Sequence, residues 1–303
     1  MRWPQSPLGI IVALALAAPC AAASPRADQP RELTLKLATW NLYWLDSDLG
    51  DGEVRRAERD YQRLRRYARR LDADVVAFQE VEDERAARRV FEPDRYAVVL
   101  ERRQGEQRVG FAYKRALAAR GVSVRRNPDL EALDVGGLRH GVDITLVASG
   151  RELRLLNVHL KAGCYSDAAR DARACRKLKA QLGPLERWID ARAAEGAAFA
   201  VLGDFNRRLP AGDWFWRELD DGEPAGLELS APTRERRPAC WDRAYPAYID
   251  HIVLDRLAAR LAIAGSFSEL TYDRSDRRAR DRLSDHCPLA VRVDLHAARG
   301  PGG

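Results

Sequence analysis

The chain has 303 residues, of which 46% are hydrophobic and 32% are charged. This length and hydrophobic content are typical of a packed globular protein and exclude global disorder. There are 51 Lys+Arg against 45 Asp+Glu, a formal net charge of +6, and only five of the basic residues are lysines. The arginine excess indicates either a genomic codon bias or a polyanion-binding surface, because arginine binds phosphate through two parallel hydrogen bonds.

The N-terminal segment has the pattern of a secretory signal peptide. Arg2 precedes an uncharged apolar run over residues 8–18, and the small residues Ala21, Ala22 and Ala23 follow. We predict cleavage after this alanine triplet and export to the periplasm or the medium. The apolar run is too short to span a bilayer comfortably, so no stable membrane insertion is expected. The predicted organisation is a signal peptide at 1–23, a flexible leader at 24–32, one domain at 33–297 and a disordered tail at 298–303.

Four cysteines remain after the predicted cleavage. An even number of cysteines in an exported chain predicts two disulfides. Three pairings are possible; we favour Cys164–Cys175, which closes a short loop, and this leaves Cys240–Cys287. A metal site made of all four thiolates is the alternative, but the chain has no C-x-x-C spacing to support it.

Nine apolar runs, in chain order, are typical of buried strands. They cover residues 33–40, 74–78, 96–100, 109–113, 142–148, 153–159, 198–202, 248–254 and 288–293. Amphipathic helices are predicted at 54–70 and 167–195, and Gly183-Pro184 is expected to kink or break the second helix. Strands mixed with amphipathic helices indicate a layered α/β protein with its sheet inside.

Polar side chains cluster where six of these runs begin or end. Such residues are the ligands and catalysts of hydrolytic sites that use a hard metal, and strand ends are rigid platforms for them. A single Asp or His at a strand end is usually a cap or a satisfied hydrogen bonder, so the combination matters more than any member. The clusters contain Asn41, Gln79-Glu80, His159, Asp204 with Asn206, Asp250, and Asp285-His286.

The motifs around these residues resemble those of a known group of enzymes. WNLYWL, DADVVAFQEVED, LRLLNVHLK, VLGDFN, YIDHIVL and SDHCPL occur in this order. The set resembles the endonuclease/exonuclease/phosphatase superfamily, the DNase-like metal-dependent phosphoesterases, over about residues 35–293. The resemblance implies a four-layer α/β/β/α sandwich with two facing mixed β-sheets and a site at one end. It is specific to the superfamily and not to one substrate.

The resemblance also implies a metal site. Glu80, in the QE motif, corresponds to the residue that holds a divalent cation, and Asn41 is expected beside it. Asp285 is a further candidate ligand. All three offer oxygen atoms, which suit Mg²⁺ or Mn²⁺, with Ca²⁺ as another candidate.

The same resemblance assigns the groups that move protons. His286 resembles the catalytic histidine, and Asp250 the carboxylate that fixes its tautomer. Asp204 and Asn206 resemble the pair that positions the nucleophilic water and binds phosphate. Whether Asp204 or His286 takes the proton from water is left open. His251 follows Asp250 and should point to the opposite face of the strand, so we interpret it as structural.

Phosphate contacts complete the predicted site. His159 resembles the second histidine, which bonds a phosphate oxygen, and Glu101 is a candidate partner for it. Arg139 resembles a phosphate-binding arginine by its position, with Arg126 and His140 as weaker alternatives. A plain surface position is an equally good interpretation of Arg139 in so arginine-rich a chain.

The leading functional hypothesis is an exported, monomeric nuclease that cuts DNA, with RNA as a second candidate substrate. The alternative is a lipid or small-molecule phosphodiesterase, such as a sphingomyelinase-like enzyme, which should expose an apolar docking element. The local candidate for that element is the segment 214–216, which we predict instead to be a helix packed on the core with one tryptophan buried. A pseudo-enzyme that only binds polyanions should have damaged motifs, and these motifs are complete.

Overall fold

The structure is a computed structural model that describes Met1 and residues 33–296, except positions 49, 51 and 170. The predicted cleavage site, the leader at 24–32 and the tail at 298–303 lie outside the described residues. Residues 33–296 belong to one compact unit. Within the described part of the chain, no helix is both long enough and apolar enough to cross a bilayer.

Twelve strands are found among residues 33–296, and they form two six-stranded sheets. In chain order they are β1 (Thr34–Leu45), β2 (Val75–Val81), β3 (Tyr96–Leu100), β4 (Arg108–Lys114), β5 (Val122–Arg126), β6 (Val142–Ala148), β7 (Arg151–His159), β8 (Ala198–Asp204), β9 (Leu229–Ser230), β10 (Asp250–Asp255), β11 (Ser268–Glu269) and β12 (Leu289–Asp294). The first sheet has the order β11-β12-β1-β2-β4-β3 and the second has the order β5-β6-β7-β8-β10-β9.

Each sheet contains one parallel pair, and its other pairs are antiparallel. β1 pairs in parallel with β2, and β7 pairs in parallel with β8. A parallel pair needs a crossover, which is usually a helix. The α-helices of the described residues are α1 (Glu58–Leu71), α2 (Glu84–Val90), α3 (Ala172–Ala194), α4 (Trp214–Leu219), α5 (Cys240–Arg243) and α6 (Arg256–Leu261). The crossovers are α1 in the first sheet and α3 in the second, so the two halves repeat one βαβ arrangement.

Three separate hydrophobic clusters define four layers. The central cluster joins the facing sides of the two sheets, with Leu35 and Leu37 from β1 and Leu202 from β8. A second cluster packs α1 and α2 against the outer face of the first sheet. The third cluster packs α3 and α4 against the outer face of the second sheet. The predicted α/β/β/α sandwich is therefore confirmed.

Gly183-Pro184 was predicted to kink or break the long helix, and the structure shows no break there. α3 runs through Pro184 without interruption. Proline removes one backbone donor, but α3 buries a long apolar stripe in the third cluster, and this packing holds the helix together. The stripe contains Leu178, Leu182, Leu185, Trp188 and Ile189.

The nine predicted strands are found at their predicted positions, but several of them begin or end at other residues. β3 and β6 have the predicted bounds, whereas β1 extends five residues beyond 40. β5, β9 and β11 were missed, because β5 has exposed polar residues at Ser123 and Arg125 and only one buried residue, and the other two are only two residues long.

α4 forms where the helix over the aromatic segment was predicted. Phe215 is fully buried and Trp216 is 5% exposed, while Trp214 is half-buried. Asp213 caps α4 through its side chain, which accepts from the backbone N–H of Phe215 and Trp216. These aromatic rings belong to the core, so the segment offers little surface for docking to a membrane.

Candidate active site

The alternation of the central strands brings four predicted residues to one place. In β1, β7, β8 and β10, every second residue faces the central cluster, and the polar residue at the site end continues that register. The two sheets therefore present these four side chains to each other at one end of the sandwich. They are Asn41, His159, Asp204 and Asp250.

The Glu80 side chain also points into this site, although the alternation of β2 does not place it there. In strict alternation it would share the outer face of β2 with Phe78. The pairing register shifts after Phe78, and Glu80 has a φ of 59°, which is left-handed for a residue that is not glycine. A bulge of this kind re-aims one side chain, and bulges are frequent beside active sites. The Glu80 carboxylate accepts from the Trp44 backbone N–H at Oε2 (3.0 Å) and turns Oε1 to the site.

Glu80, His159 and Asp204 form a buried group whose ligand atoms lie within 4.8 Å of one another. His159 Nε2 lies 3.6 Å from Glu80 Oε1 and 3.6 Å from Asp204 Oδ2. Asn41 Nδ2 donates to the same two carboxylate oxygens, at 3.0 Å and 3.1 Å. Two carboxylates and an imidazole at this spacing are a donor set for a divalent cation.

The pKa values of two members of this group shift because both are buried. Burial raises the pKa of Asp204 to about 7, and the charges of Asp250 and Glu80 act in the same direction while His286 opposes them. Burial lowers the pKa of His159 well below its usual value, and the positive charge of Arg139 lowers it further. His159 is therefore a neutral imidazole at neutral pH.

His286 and Asp250 form a second pair across the cleft. His286 Nδ1 donates to Asp250 Oδ2 at 2.7 Å, so Nε2 faces Asp204 Oδ2, at 3.9 Å. Burial by itself would lower the pKa of His286. The negative charges of Asp250 and Asp204 outweigh this effect and hold the pKa well above its usual value. His286 is therefore cationic at neutral pH.

Asn206 connects the GDFN loop to this arrangement. Its backbone N–H donates to Asp204 Oδ1 (2.8 Å), and its Nδ2 donates to the Leu160 carbonyl (3.1 Å). Gly203 makes the loop possible, because a Cβ at this position would lie 1.9 Å from the Val158 carbonyl oxygen.

Eight of the predicted residues line a cleft of about 460 Å³: Glu80, Arg139, His159, Asp204, Asn206, Asp250, Asp285 and His286. We call this cavity the active-site cleft. Arg139 lines it, is only 9% exposed, and donates from Nη2 to the Leu160 carbonyl (3.0 Å). Asp285 lines the cleft beside His286 Nε2, with Oδ1 at 3.8 Å. Asp285 is not a member of the ligand groups found among the described residues.

The predicted pairing of Glu101 with His159 does not form. Glu101 accepts instead from the backbone N–H of His140 (2.7 Å) and of Val109 (3.2 Å), and it forms an ion pair with Arg103. These bonds use both carboxylate oxygens. His159 Nδ1 has no hydrogen-bond partner among the described residues. The sequence placed Glu101 at the correct strand end, but it could not show which backbone amides lie beside it.

Both predicted disulfides are present in the structure. Cys164 bonds to Cys175, and Cys240 bonds to Cys287. The first closes the loop that follows β7, and the second fixes the residue directly after His286. The four-thiolate metal site is therefore excluded, because all four sulfurs are in disulfides.

Arg207 is a buried residue that the sequence analysis missed. It directly follows the GDFN motif and is fully buried. Its guanidinium forms ion pairs with Asp213 and Asp167 and donates to the Cys164 carbonyl (3.1 Å). It therefore joins the catalytic loop to the disulfide-closed loop. In the sequence, only its position directly after the GDFN motif could have indicated this role.

His251 lies on the outer face of β10, as predicted, and it is buried. Its Nε2 donates to the Arg207 carbonyl (2.9 Å), and Thr233 Oγ1 lies 2.6 Å from Nδ1. Since a carbonyl only accepts, the proton is on Nε2, and Nδ1 accepts from the Thr233 hydroxyl. Burial lowers the pKa of His251 from 6.5 to about 4.

This shift predicts a loss of stability in acid. Because the unfolded state binds the proton more tightly, the contribution of His251 is complete above its unfolded pKa of 6.5 and is lost as the pH falls to about 4. The loss should be about 3 kcal/mol. Urea unfolding of the wild type and of His251→Gln across this range measures it. The wild type should lose its advantage over the variant as the pH falls, and a constant difference would contradict the assignment.

A profile of the Endonuclease/Exonuclease/phosphatase family matches residues 38–286. The match covers most of the sequence, and the chain therefore belongs to this family. The protein is a metal-dependent phosphoester hydrolase, as are the members of the family. No curated protein gives a significant match to the chain.

Solved structures share the fold at low sequence identity. Truncated TDP2 from Caenorhabditis elegans aligns with a TM-score of 0.57 and 16% identity, over 87% of this chain and 98% of that one. The 3′ phosphatase NExo from Neisseria, bound to a product DNA hairpin, gives 0.57 and 17%, over 86% and 100%. An AP endonuclease from Archaeoglobus fulgidus gives 0.53 and 16%, over 86% and 100%.

Proposed function

We propose that this chain is an exported nuclease that hydrolyses phosphodiester bonds in DNA, with RNA as a second candidate substrate. The observation that supports this most is the convergence of Glu80, His159 and Asp204 with the His286–Asp250 pair in one cleft. Two disulfides support export, because such bonds persist in oxidising compartments. We retain the predicted domain at 33–297 and the predicted signal peptide at 1–23 as parts of this proposal, with a monomer as the working state.

The residues present fit a divalent cation. Glu80 Oε1, His159 Nε2 and Asp204 Oδ2 would hold it, with Asn41 beside them and Asp285 as a candidate ligand from the other side of the cleft. Burial of carboxylates costs free energy unless positive charge compensates them, which favours a bound cation. Mg²⁺ or Mn²⁺ is proposed, with Ca²⁺ as an alternative. When bound, the cation supplies positive charge to the phosphoryl oxygens.

The pKa values of Asp204 and His286 are both raised, and we propose a separate role for each group in proton transfer. Where Glu80 and Asn41 hold the cation, Asp204, with its pKa raised by burial to about 7, can accept a proton from the attacking water. His286 holds its proton at neutral pH and presents Nε2 to the cleft, where it can donate to the leaving oxygen. Asp250 orients the ring.

Phosphate binding is proposed for three more residues. His159 is neutral and buried beside the carboxylates, so its ring can contact a phosphoryl oxygen when no cation occupies Nε2. Arg139 is a buried cation whose Nε has no partner among the described residues, and Asn206 lies beside it in the cleft lining. A buried guanidinium with free donor capacity is suited to bind phosphate.

The choice of DNA rests on the surroundings of the cleft. The aromatic segment of α4 is packed in the core, so the apolar docking element expected of a lipid phosphodiesterase is not found at the predicted place. The relative from Neisseria was solved with a DNA product. The lipid hypothesis has one observation in its favour: Tyr245, near Asp285, and Tyr248, bonded to Glu269, line the cleft, and tyrosines beside a carboxylate suit a quaternary ammonium headgroup.

The expected result is that the purified protein nicks plasmid DNA in the presence of Mg²⁺ or Mn²⁺. EDTA should lower the rate by about two to three orders of magnitude, because metal charge stabilisation is worth several kcal/mol. Gel analysis of plasmid nicking and release of phosphocholine from sphingomyelin vesicles should be measured on the same preparation. Vesicle hydrolysis with intact plasmid would overturn the nuclease assignment and establish the lipid alternative.

A further inference from the structure

Three cationic side chains from loops of the second sheet line the active-site cleft. They are Arg139, Lys161 and Arg208, and we call them the basic side of the cleft. Lys161 Nζ donates to the Ala162 carbonyl (2.8 Å), and Arg208 Nε has no partner among the described residues. None of the three forms an ion pair with a described carboxylate. By contrast, Arg63, Arg66, Arg69 and Arg70 on α1 all form ion pairs. The basic side therefore has positive charge available for an anionic ligand.

An exposed aromatic ring follows β7 and lines the same cleft. Tyr165 is 38% exposed and lines the cleft, and it is the most exposed aromatic side chain in the described ranges. Tryptophan, phenylalanine and the other tyrosines are buried or half-buried there. Burial raises the pKa of Tyr165, and the charge of Asp204 raises it further, so the phenol stays neutral and lies within electrostatic reach of the reacting groups.

The backbone around this ring is fixed to the catalytic loop. The Arg208 backbone N–H donates to the Tyr165 carbonyl (2.9 Å). Cys164, the preceding residue, is held by its disulfide to Cys175 and by Arg207, which donates to its carbonyl (3.1 Å). A ring presented on a fixed backbone loses little conformational entropy when a ligand stacks on it.

We propose that Tyr165, Arg208 and Lys161 form a subsite for one unpaired nucleotide next to the scissile phosphate. This inference rests on the proposed nuclease function. Tyr165 stacks on the base, and the two cations bind the phosphate that follows the scissile one. An aromatic ring beside free cations matches the two parts of a nucleotide, and stacking of this kind accepts any base. Bases within a duplex are already paired and stacked, so the subsite selects single strands or frayed ends.

Binding can be measured apart from catalysis, because EDTA prevents turnover. The probes are fluorescein-labelled single-stranded (dT)6 and the same hexamer with every base removed, followed by fluorescence anisotropy. Tyr165→Ala should weaken binding of (dT)6 about tenfold and change binding of the abasic hexamer far less, since stacking is worth about 1–3 kcal/mol per base. Tyr165→Phe should restore the affinity for (dT)6, because the phenyl ring keeps the stacking surface.

The charge contribution has its own measurement and control. Arg208→Ala should reduce the slope of log K against log salt concentration by about 0.7, the value for one phosphate contact on a single strand. Arg260→Ala is the matched control, because Arg260 is exposed on α6, which follows the end of β10 that lies away from Asp250. It should leave the slope and the affinity unchanged.

The outcomes separate the subsite from the proposed function. Equal affinity of the wild type for (dT)6 and the abasic hexamer would overturn the subsite, whatever the enzyme hydrolyses. Base-dependent binding without Mg²⁺-dependent cleavage of DNA would uphold the subsite and overturn the proposed function. Weaker binding of sphingomyelin vesicles by Tyr165→Ala, with (dT)6 binding unchanged, would overturn the subsite and assign the ring to a lipid.

Discussion

Replacement of His286 by alanine is expected to lower kcat for phosphodiester hydrolysis by about three to four orders of magnitude. General acid–base catalysis contributes about 10²–10⁴-fold, and His286 is the cationic donor nearest Asp204, with Nε2 3.9 Å from its carboxylate. Asp250→Asn should cost less, because the ring stays in place while its charge partner is lost. Steady-state kinetics on plasmid or oligonucleotide DNA measure both effects.

Asp204→Ala should also lower kcat by several orders of magnitude in the same assay.

The pH profile and a control variant at His251 distinguish the role of His286 from a general effect of histidine replacement. Because the pKa of His286 is raised, the alkaline loss of wild-type activity should occur as the pH rises through that value, and His286→Ala should lack this alkaline limb. His251→Gln is the matched control, since His251 faces the opposite side of β10 and should keep kcat at neutral pH. A rate for His286→Ala within tenfold of the wild type would show that another group donates the proton.

Much of the site could be predicted because strands repeat every two residues. Once the apolar residues of β7 and β8 are placed on the inner face, His159 and Asp204 must follow them into the space between the sheets. The order of the motifs then determines the fold and the ends of the strands that meet. Glu80 is different: the alternation of β2 assigns it to the outer face, and only the bulge after Phe78 brings it to the site.

The remaining features depend on contacts between residues far apart in the chain. Glu101 lies at the predicted strand end, but its partners are the amides of Val109 and His140, which no local pattern reveals. The basic side of the cleft has the same origin, because Lys161 and Arg208 follow different strands and line one cleft only when the second sheet forms. In a chain with so many arginines, composition does not distinguish these few from those that are paired on the surface.

Arg56 is the clearest case of a residue whose role appears only in three dimensions. Its side chain is 1% exposed, and its guanidinium donates to five backbone carbonyls. Three of them follow Asn41 at the end of β1, and two precede Ser284. The Ser284 hydroxyl in turn donates to the Asn41 carbonyl (2.7 Å). Arg56 therefore holds the segment that follows Asn41 against the segment that leads to His286. The five carbonyls are those of Leu42, Tyr43, Trp44, Arg282 and Leu283.

Arg56→Ala should lower the free energy of unfolding by about 4 kcal/mol. The substitution leaves buried carbonyls without donors and opens a cavity, and hydrogen bonds to a charged group are worth about 1.5–3 kcal/mol each. Arg56→Lys should recover only part of the lost free energy of unfolding. A single ammonium group cannot donate to carbonyls of two separate segments as the planar guanidinium does. Urea unfolding followed by circular dichroism measures the free energy of each variant.

Arg55→Ala is the matched control, because Arg55 is the adjacent arginine and is exposed. It should stay within about 0.5 kcal/mol of the wild type, as exposed substitutions usually do. Activity gives a second, independent measure: the folded fraction of Arg56→Lys should show a lower kcat than the wild type, since the segments bearing Asn41 and His286 are no longer held in register. Equal stability of Arg55→Ala and Arg56→Ala would contradict this role, because it would mean that water or other donors replace the guanidinium. The β1–β12 pairing alone would then align the segments that bear Asn41 and His286.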